Sequence, residues 1–117
     1  MIPFISFNYK KEEIKQKILE SISNILESER YVLGANNIEF ERKFAQLIGA
    51  ESSVGVGSGL DALIISLKSL NIGPGDEVIV PSNTYIASWL SVSALGAKII
   101  PVEPDIRTYN LNPDLIV

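Results

Sequence analysis

An α/β fold with a mostly parallel sheet and flanking helices is what this sequence predicts, and three features carry the prediction. The stretch GVGSGLDALIISL, Gly55 to Leu67, puts three glycines into five residues and then runs into an apolar pattern with helical spacing. Two β-branched runs, EVIVP and AKIIPVE, follow it, each of a length that suits a strand buried in a parallel sheet. A helical segment lies between them, so residues 53–103 read strand, helix, strand, helix, strand. That order belongs to right-handed βαβ units in a sheet covered on both faces.

In chain order, the first eight residues, with Pro3, Phe4 and Phe7, read as an extended lead-in. From Lys10 to about Ser28, Ile14, Ile18, Ile22, Ile25 and Leu26 recur at steps of three and four among Lys and Glu, which makes an amphipathic helix. YVLGAN is a connector. Asn36 is a good N-cap for a second helix, with Glu39 three residues on, an apolar face of Phe40, Phe44, Leu47 and Ile48, and Gly49 to close it. SSVGVG reads as a short strand, and the third helix carries Leu60, Leu63, Ile64, Leu67 and Leu70. NIGPGDE is a turn, EVIVP a strand, and a fourth helix runs from about Thr84 to Leu95 before Gly96. AKIIPVE is the last strand.

Composition narrows the chemistry. With 117 residues, 46% hydrophobic and 21% charged, the chain has the make-up of an ordinary globular domain. A net charge of −4 with ten scattered basic residues argues against nucleic acid, whose phosphates call for clustered Lys and Arg. No cysteine and no histidine are present, which removes disulfides, thiolate catalysis and the usual zinc sites, so no metal is expected. Neither a signal-peptide pattern nor an apolar run of membrane-spanning length is visible, and a cytoplasmic protein is expected.

Near its end the chain reads as part of something larger. Asn112 and Pro113 are helix start signals, yet four residues follow Pro113. Three short strands are also few for a doubly wound sheet, which commonly has about five or six. The expectation is an N-terminal piece of a longer protein.

Two loops could carry chemistry. The glycine turn precedes a helix N-terminus, where unpaired N–H groups and the helix dipole favour an anion such as phosphate. The same glycines also fit a tight strand-to-helix turn with Ser58 as its cap, and spacing alone leaves both readings open. A dinucleotide fingerprint fails because Leu60 stands where the third glycine belongs, and a P-loop fails for want of Lys-Ser or Lys-Thr. The second loop, PSNTYIASW, follows EVIV at the carboxyl end of a strand, where open α/β sheets bind ligands. There Tyr85 suits stacking on a flat heteroaromatic ring, with Ser82, Asn83 and Thr84 offering hydrogen bonds. Packing on a helix is the competing reading for Tyr85, and the preferred one for Trp89.

GVGSGLDAL, GPGDEVIVPSNTYIAS, GAKIIPVEPD and TYNLNP, in this order, resemble the DegT-type nucleotide-sugar aminotransferases, and RYVLGANNIEFERKFAQLIGA is similar to another segment of that family. GSGLDAL with SNTYIASW most resembles the branch that aminates C3 of dTDP-3-keto-6-deoxyhexoses. The resemblance implies a pyridoxal phosphate (PLP)-dependent transferase of the aspartate-aminotransferase-like type I fold. Residues 1–117 would be the N-terminal part of its large domain, with 1–35 the N-terminal segment and helix and 36–117 a helix plus the start of the sheet. The rest of the large domain and a C-terminal small domain would lie beyond.

By the same resemblance, the N–H groups of Gly59 and Leu60 would hold the PLP phosphate with Ser58 nearby, and Tyr85 would stack on the pyridine ring. Many relatives carry Thr where this chain has Leu60, so a side-chain contact is lost there. Asp61 is assigned to capping. The Schiff-base lysine and the pyridine-pairing aspartate would lie beyond Val117, leaving no catalytic residue within the chain. Glutamate is the implied amino donor, a nucleotide-linked ketosugar the acceptor, and a homodimer the implied assembly. The alternatives are a PLP-dependent sugar dehydratase of the same family, marked by histidine in place of the lysine, and a non-catalytic phosphate-binding or assembly fragment.

Overall fold

A computed structural model of the protein describes residues 2, 4, 5 and 11–116. Most of the expected lead-in, and Lys10, lie outside the described residues. The chain divides into two compact units, Met1–Gly55 and Val56–Val117.

The first unit contains α1 (Lys11–Ser28) and α2 (Ala35–Ile48). Along α1 the apolar stripe of Ile14, Ile18, Ile22 and Leu26 is exposed, with Ile25 half-buried. The start of α2 differs from expectation. Gly34, not Asn36, is the N-cap: its backbone is extended, and its carbonyl accepts from the N–H groups of Asn37 at 3.1 Å and Ile38 at 3.3 Å. Closing the first turn there places Asn36 inside the helix, where its side chain cannot cap. Gly49 ends α2 as expected, at φ 70°, and the next N–H, of Ala50, donates to Ala45 O at 2.9 Å. That wrap satisfies a terminal carbonyl through a left-handed residue that glycine adopts without a Cβ penalty.

Glu39 is drawn into ion pairs rather than a cap. Its carboxylate accepts from Arg42 Nη2 at 2.8 Å and Nε at 3.0 Å, and lies 3.2 Å from Lys43 Nζ. Arg42, then Lys43, hold the carboxyl at about 2, well below its ordinary 4.5. A folded-state pKa below the unfolded one means that the stabilisation is complete above pH 4.5 and is lost as pH falls toward about 2. A carboxyl-carbon NMR titration should place the Glu39 midpoint near the lower value, and Arg42→Met should move it up toward the ordinary one. An unmoved midpoint would mean that these pairs do not form in solution.

The expected strand at SSVGVG is not formed. Ser52–Val56 carry no ladder, and the groups at Ser53 and Gly55 turn to α2 instead. Ser53 Oγ donates to Glu41 O at 2.7 Å, and Gly55 N–H donates to Glu41 Oε1 at 2.7 Å. A strand exists through its partner, and these polar groups are satisfied by a helix.

The second unit contains α3 (Gly59–Ser69), β1 (Glu77–Pro81), α4 (Ile86–Ser93), β2 (Lys98–Val102) and a 3₁₀ turn, Pro113–Leu115. The strands are parallel, with Ile79 beside Ile100, and α4 is the crossover between them, so β1, α4 and β2 form the expected βαβ unit. α4 packs on both strands, and α3 packs on α4. Val80, Val92 and Val102 are buried, at 4%, 1% and 8% exposure. Glu77, Ile79 and Pro81 share a face with Lys98, Ile100 and Val102. That face is not fully covered, against expectation: Ile79 is 40% exposed, and Lys98 Nζ bonds Glu77 Oε1 at 2.6 Å in solvent. α4 also starts later than expected, since Tyr85 is its extended N-cap. The start signals at Asn112 and Pro113 produce the 3₁₀ turn, with Asn112 Oδ1 accepting from Asp114 N–H at 3.0 Å.

Candidate functional site

Ser58 opens α3 in extended conformation. Its Oγ accepts from Asp61 N–H at 3.1 Å and donates to Asp61 Oδ2 at 2.8 Å, while its carbonyl accepts from Ala62 N–H at 3.0 Å. The cap thereby satisfies Asp61 N–H, one of the groups that a helix N-terminus leaves unpaired, and Ala62 N–H makes the first bond of the helix itself. The N–H groups of Gly59 and Leu60, in the same first turn, have no acceptor among the described residues. Asp61 also sets a carboxylate against the positive end of the helix, as a capping residue should.

The three glycines of the turn have different reasons. A Cβ at Gly55 would approach Asn37 Oδ1 to 3.1 Å, and one at Gly57 would approach Asp61 Oδ2 to 2.9 Å. A side chain at either position would therefore have to displace a polar side chain of the chain's own packing or cap. A Cβ at Gly59 would meet nothing within 4 Å. The open space lies beside an unpaired N–H, so the bare backbone at Gly59 leaves room for something from outside.

Tyr85 sits between two fixed segments. Ser82 N–H donates to Val102 O at 2.9 Å and Thr84 N–H to Pro81 O at 3.3 Å, which ties the loop to the carboxyl ends of both strands. Tyr85 is 80% exposed, and its side chain makes no cap hydrogen bond. Trp89 is half-buried with Nε1 donating to Pro81 O at 3.4 Å, in keeping with a packing role.

Asn83 and Thr84, two of the polar residues beside Tyr85, are engaged internally rather than offered to a ligand. Asn83 Nδ2 donates to Tyr109 O at 3.3 Å, and the hydroxyls of Thr84 and Ser88 share a hydrogen bond of 2.9 Å. Ser88 was missed by sequence reasoning, although its four-residue separation from Thr84 across a helix start was a usable signal. The Asn83 contact spans 26 residues and left no local signal.

Ser58, Gly59, Leu60 and Tyr85 all belong to the second unit, on helices that pack together, with no hydrogen bond between Tyr85 and the turn among the described residues. A concavity of about 310 Å³ lies elsewhere, beside the α1–α2 connector at Arg30, Tyr31 and Asn36. The anion-binding capacity of the turn thus rests on its unpaired donors and not on enclosure. Among the described residues no cluster of His, Cys, Asp or Glu could hold a metal, and no helix is long and apolar enough to cross a membrane.

Fold and turn together define an α/β domain with a βαβ unit and a helix N-terminus open to an anion. The chain belongs to the DegT/DnrJ/EryC1/StrS aminotransferase family, which matches residues 12–117. It is 50% identical over 113 residues to the dTDP-3-amino-3,6-dideoxy-alpha-D-galactopyranose transaminase of Aneurinibacillus thermoaerophilus, covering 97% of this chain and 31% of that protein. The crystal structure of DesV from S. venezuelae superposes with a TM-score of 0.91 at 48% identity, over 98% of this chain and 31% of DesV. Ntda from Bacillus subtilis, solved with bound cofactor PMP, gives 0.88 at 29% identity, over 98% of this chain and 27% of its own. The chain therefore spans about a third of the length of the relatives it matches.

Proposed function

We propose that this chain forms the N-terminal part of the large domain of a PLP-dependent aminotransferase. The enzyme moves an amino group from glutamate to a keto group, at C3, of a dTDP-linked 6-deoxy sugar in deoxyamino-sugar biosynthesis. The observation that carries the reading is the pair of unpaired N–H groups on Gly59 and Leu60, at the start of an 11-residue helix with open space over Gly59. This donor set fits a phosphate: two N–H groups converge at the positive end of a helix, and no side chain fills the approach. Support for the sugar substrate comes from the similarity to the dTDP-sugar transaminase.

In this reading Gly59 and Leu60 donate to the phosphate. The Ser58 hydroxyl stands beside them and becomes a third donor by turning from Asp61. Tyr85 lays its exposed ring against the pyridine face. The cofactor, when bound, supplies an aldehyde and an electron-accepting ring, the chemistry of amino transfer. The lysine that forms the Schiff base and moves the proton belongs to the part of the enzyme beyond this chain. We read the enzyme as a homodimer, because α1 and α2 expose apolar residues such as Ile18, Leu26, Phe40 and Leu47 that call for cover. It is read as cytoplasmic, since charged nucleotide sugars do not cross a bilayer unaided.

The test is to supply the full-length protein with glutamate and a dTDP-3-keto-6-deoxyhexose. Equal amounts of 2-oxoglutarate and amino sugar are expected by mass spectrometry. Loss of water from the sugar without consumption of glutamate would instead establish a dehydratase. For the cofactor face, Tyr85→Ala should weaken PLP binding by about 1 kcal/mol, roughly fivefold, and Tyr85→Phe should not. Equal losses in the two variants would make the hydroxyl, and not the ring, the important group.

A further inference from the structure

We propose that the Thr84–Ser88 hydroxyl pair is a positioning device for the Tyr85 ring, an inference that rests on the reading of Tyr85 given above. Tyr85 combines an exposed ring with a restrained backbone. Thr84 N–H donates to Pro81 O at 3.3 Å on one side, and Ser88 N–H donates to Tyr85 O at 3.0 Å on the other. The 2.9 Å bond between the hydroxyls of Thr84 and Ser88, part-buried, then closes a ring of contacts across Tyr85 itself. Asn83 Nδ2 holds the preceding residue through Tyr109 O at 3.3 Å.

Helix capping does not account for the pair. Tyr85, not Thr84, is the N-cap, and the Thr84 hydroxyl goes to a side chain and not to a helix N–H. What the pair does is fix the direction in which the Cα–Cβ bond of Tyr85 leaves the backbone. A ring aimed before its ligand arrives loses less freedom on stacking, and that difference appears as affinity.

The experiment is a double-mutant cycle on the full-length protein. It reads PLP affinity by absorbance and the induced circular dichroism of the bound cofactor, with thermal unfolding of the cofactor-free protein as the folding control. Thr84→Val removes the hydroxyl at nearly constant shape, and Thr84→Ser keeps it. Thr84→Val is expected to weaken PLP binding about threefold, within the range of an aromatic contact, and to alter the dichroism band. Thr84→Ser should restore both readouts, and in a Tyr85→Ala background Thr84→Val should have no further effect. Ser88→Ala breaks the same bond from the helix side; it should reproduce the valine result and decides the matter where valine unfolds the chain. Unchanged affinity, equal losses in both backgrounds, or no restoration by serine overturns the proposal. If Tyr85→Ala itself keeps full affinity, the stacking reading falls with it, whereas a loss in Tyr85→Ala beside a silent Thr84→Val sinks the positioning role alone.

Discussion

Gly59→Val should abolish retention of PLP by the full-length enzyme while leaving its fold intact. The second half follows from the chain's own geometry. A Cβ at position 59 meets nothing within 4 Å, and the backbone there is not left-handed, so the branch point of the new side chain brings no clash and no backbone strain. A β-branched residue in the first turn of a helix costs only a few tenths of a kcal/mol. The first half follows from what the new methyl groups would occupy. They would stand in the approach to the Gly59 and Leu60 N–H groups, and hydrogen bonds to a charged partner contribute about 1.5–3 kcal/mol each. Loss of both corresponds to a fall in affinity on the order of hundredfold or more. Absorbance of the bound cofactor and the unfolding temperature of the cofactor-free protein are the two measurements. Full cofactor content in Gly59→Val would remove this turn from the account. Gly57→Val is a useful contrast, because its Cβ would press on Asp61 Oδ2 at 2.9 Å and disturb the cap itself.

Residues 1–117 expressed alone should show no amino transfer and should associate instead of unfolding cooperatively. The described residues build a sheet of two strands, and a two-stranded pairing is marginal in water unless further strands or helices cover it. Ile79 on one sheet face and Phe40, Leu47 and Ile48 on α2 remain exposed, and apolar patches of this kind favour association. Catalysis would be lost independently, because the proposed lysine nucleophile lies outside these residues. The comparison is between this segment and a chain of the relatives' length, by size-exclusion chromatography, thermal unfolding and 2-oxoglutarate release. A monomeric, cooperatively unfolding and active segment would overturn both the placement of the lysine and the partial-domain reading.

Local signals were the legible ones. Ser58 was readable as a cap because a hydroxyl residue stands ahead of an apolar helical pattern with an acid three residues on, and Gly49 because its left-handed turn serves its own helix. EVIVP and the strand before Glu103 were readable from β-branched composition. SSVGVG was misread because strand formation depends on a partner, and Glu41 of α2 takes the polar groups that a ladder would have used. Asn36 was misread because cap propensity does not decide where the first turn closes; the Gly34 carbonyl does. In the candidate site, the donors of Asn83 and Thr84 were visible, but their partners were fixed only by the fold.

The first turn of α3 treats its terminal donors differently. The Ser58 hydroxyl holds the N–H of Asp61 and its carbonyl starts the helix at Ala62, while the N–H groups of Gly59 and Leu60 have no acceptor among the described residues. The capped donor has a kinetic meaning. Because the first turn is wound by its own serine and aspartate, departure of a phosphate need not unravel it, and the vacated cradle keeps its shape for the next arrival. In the proposed enzyme, loading and release would then proceed as exchange at a standing receptor and not through refolding of the helix.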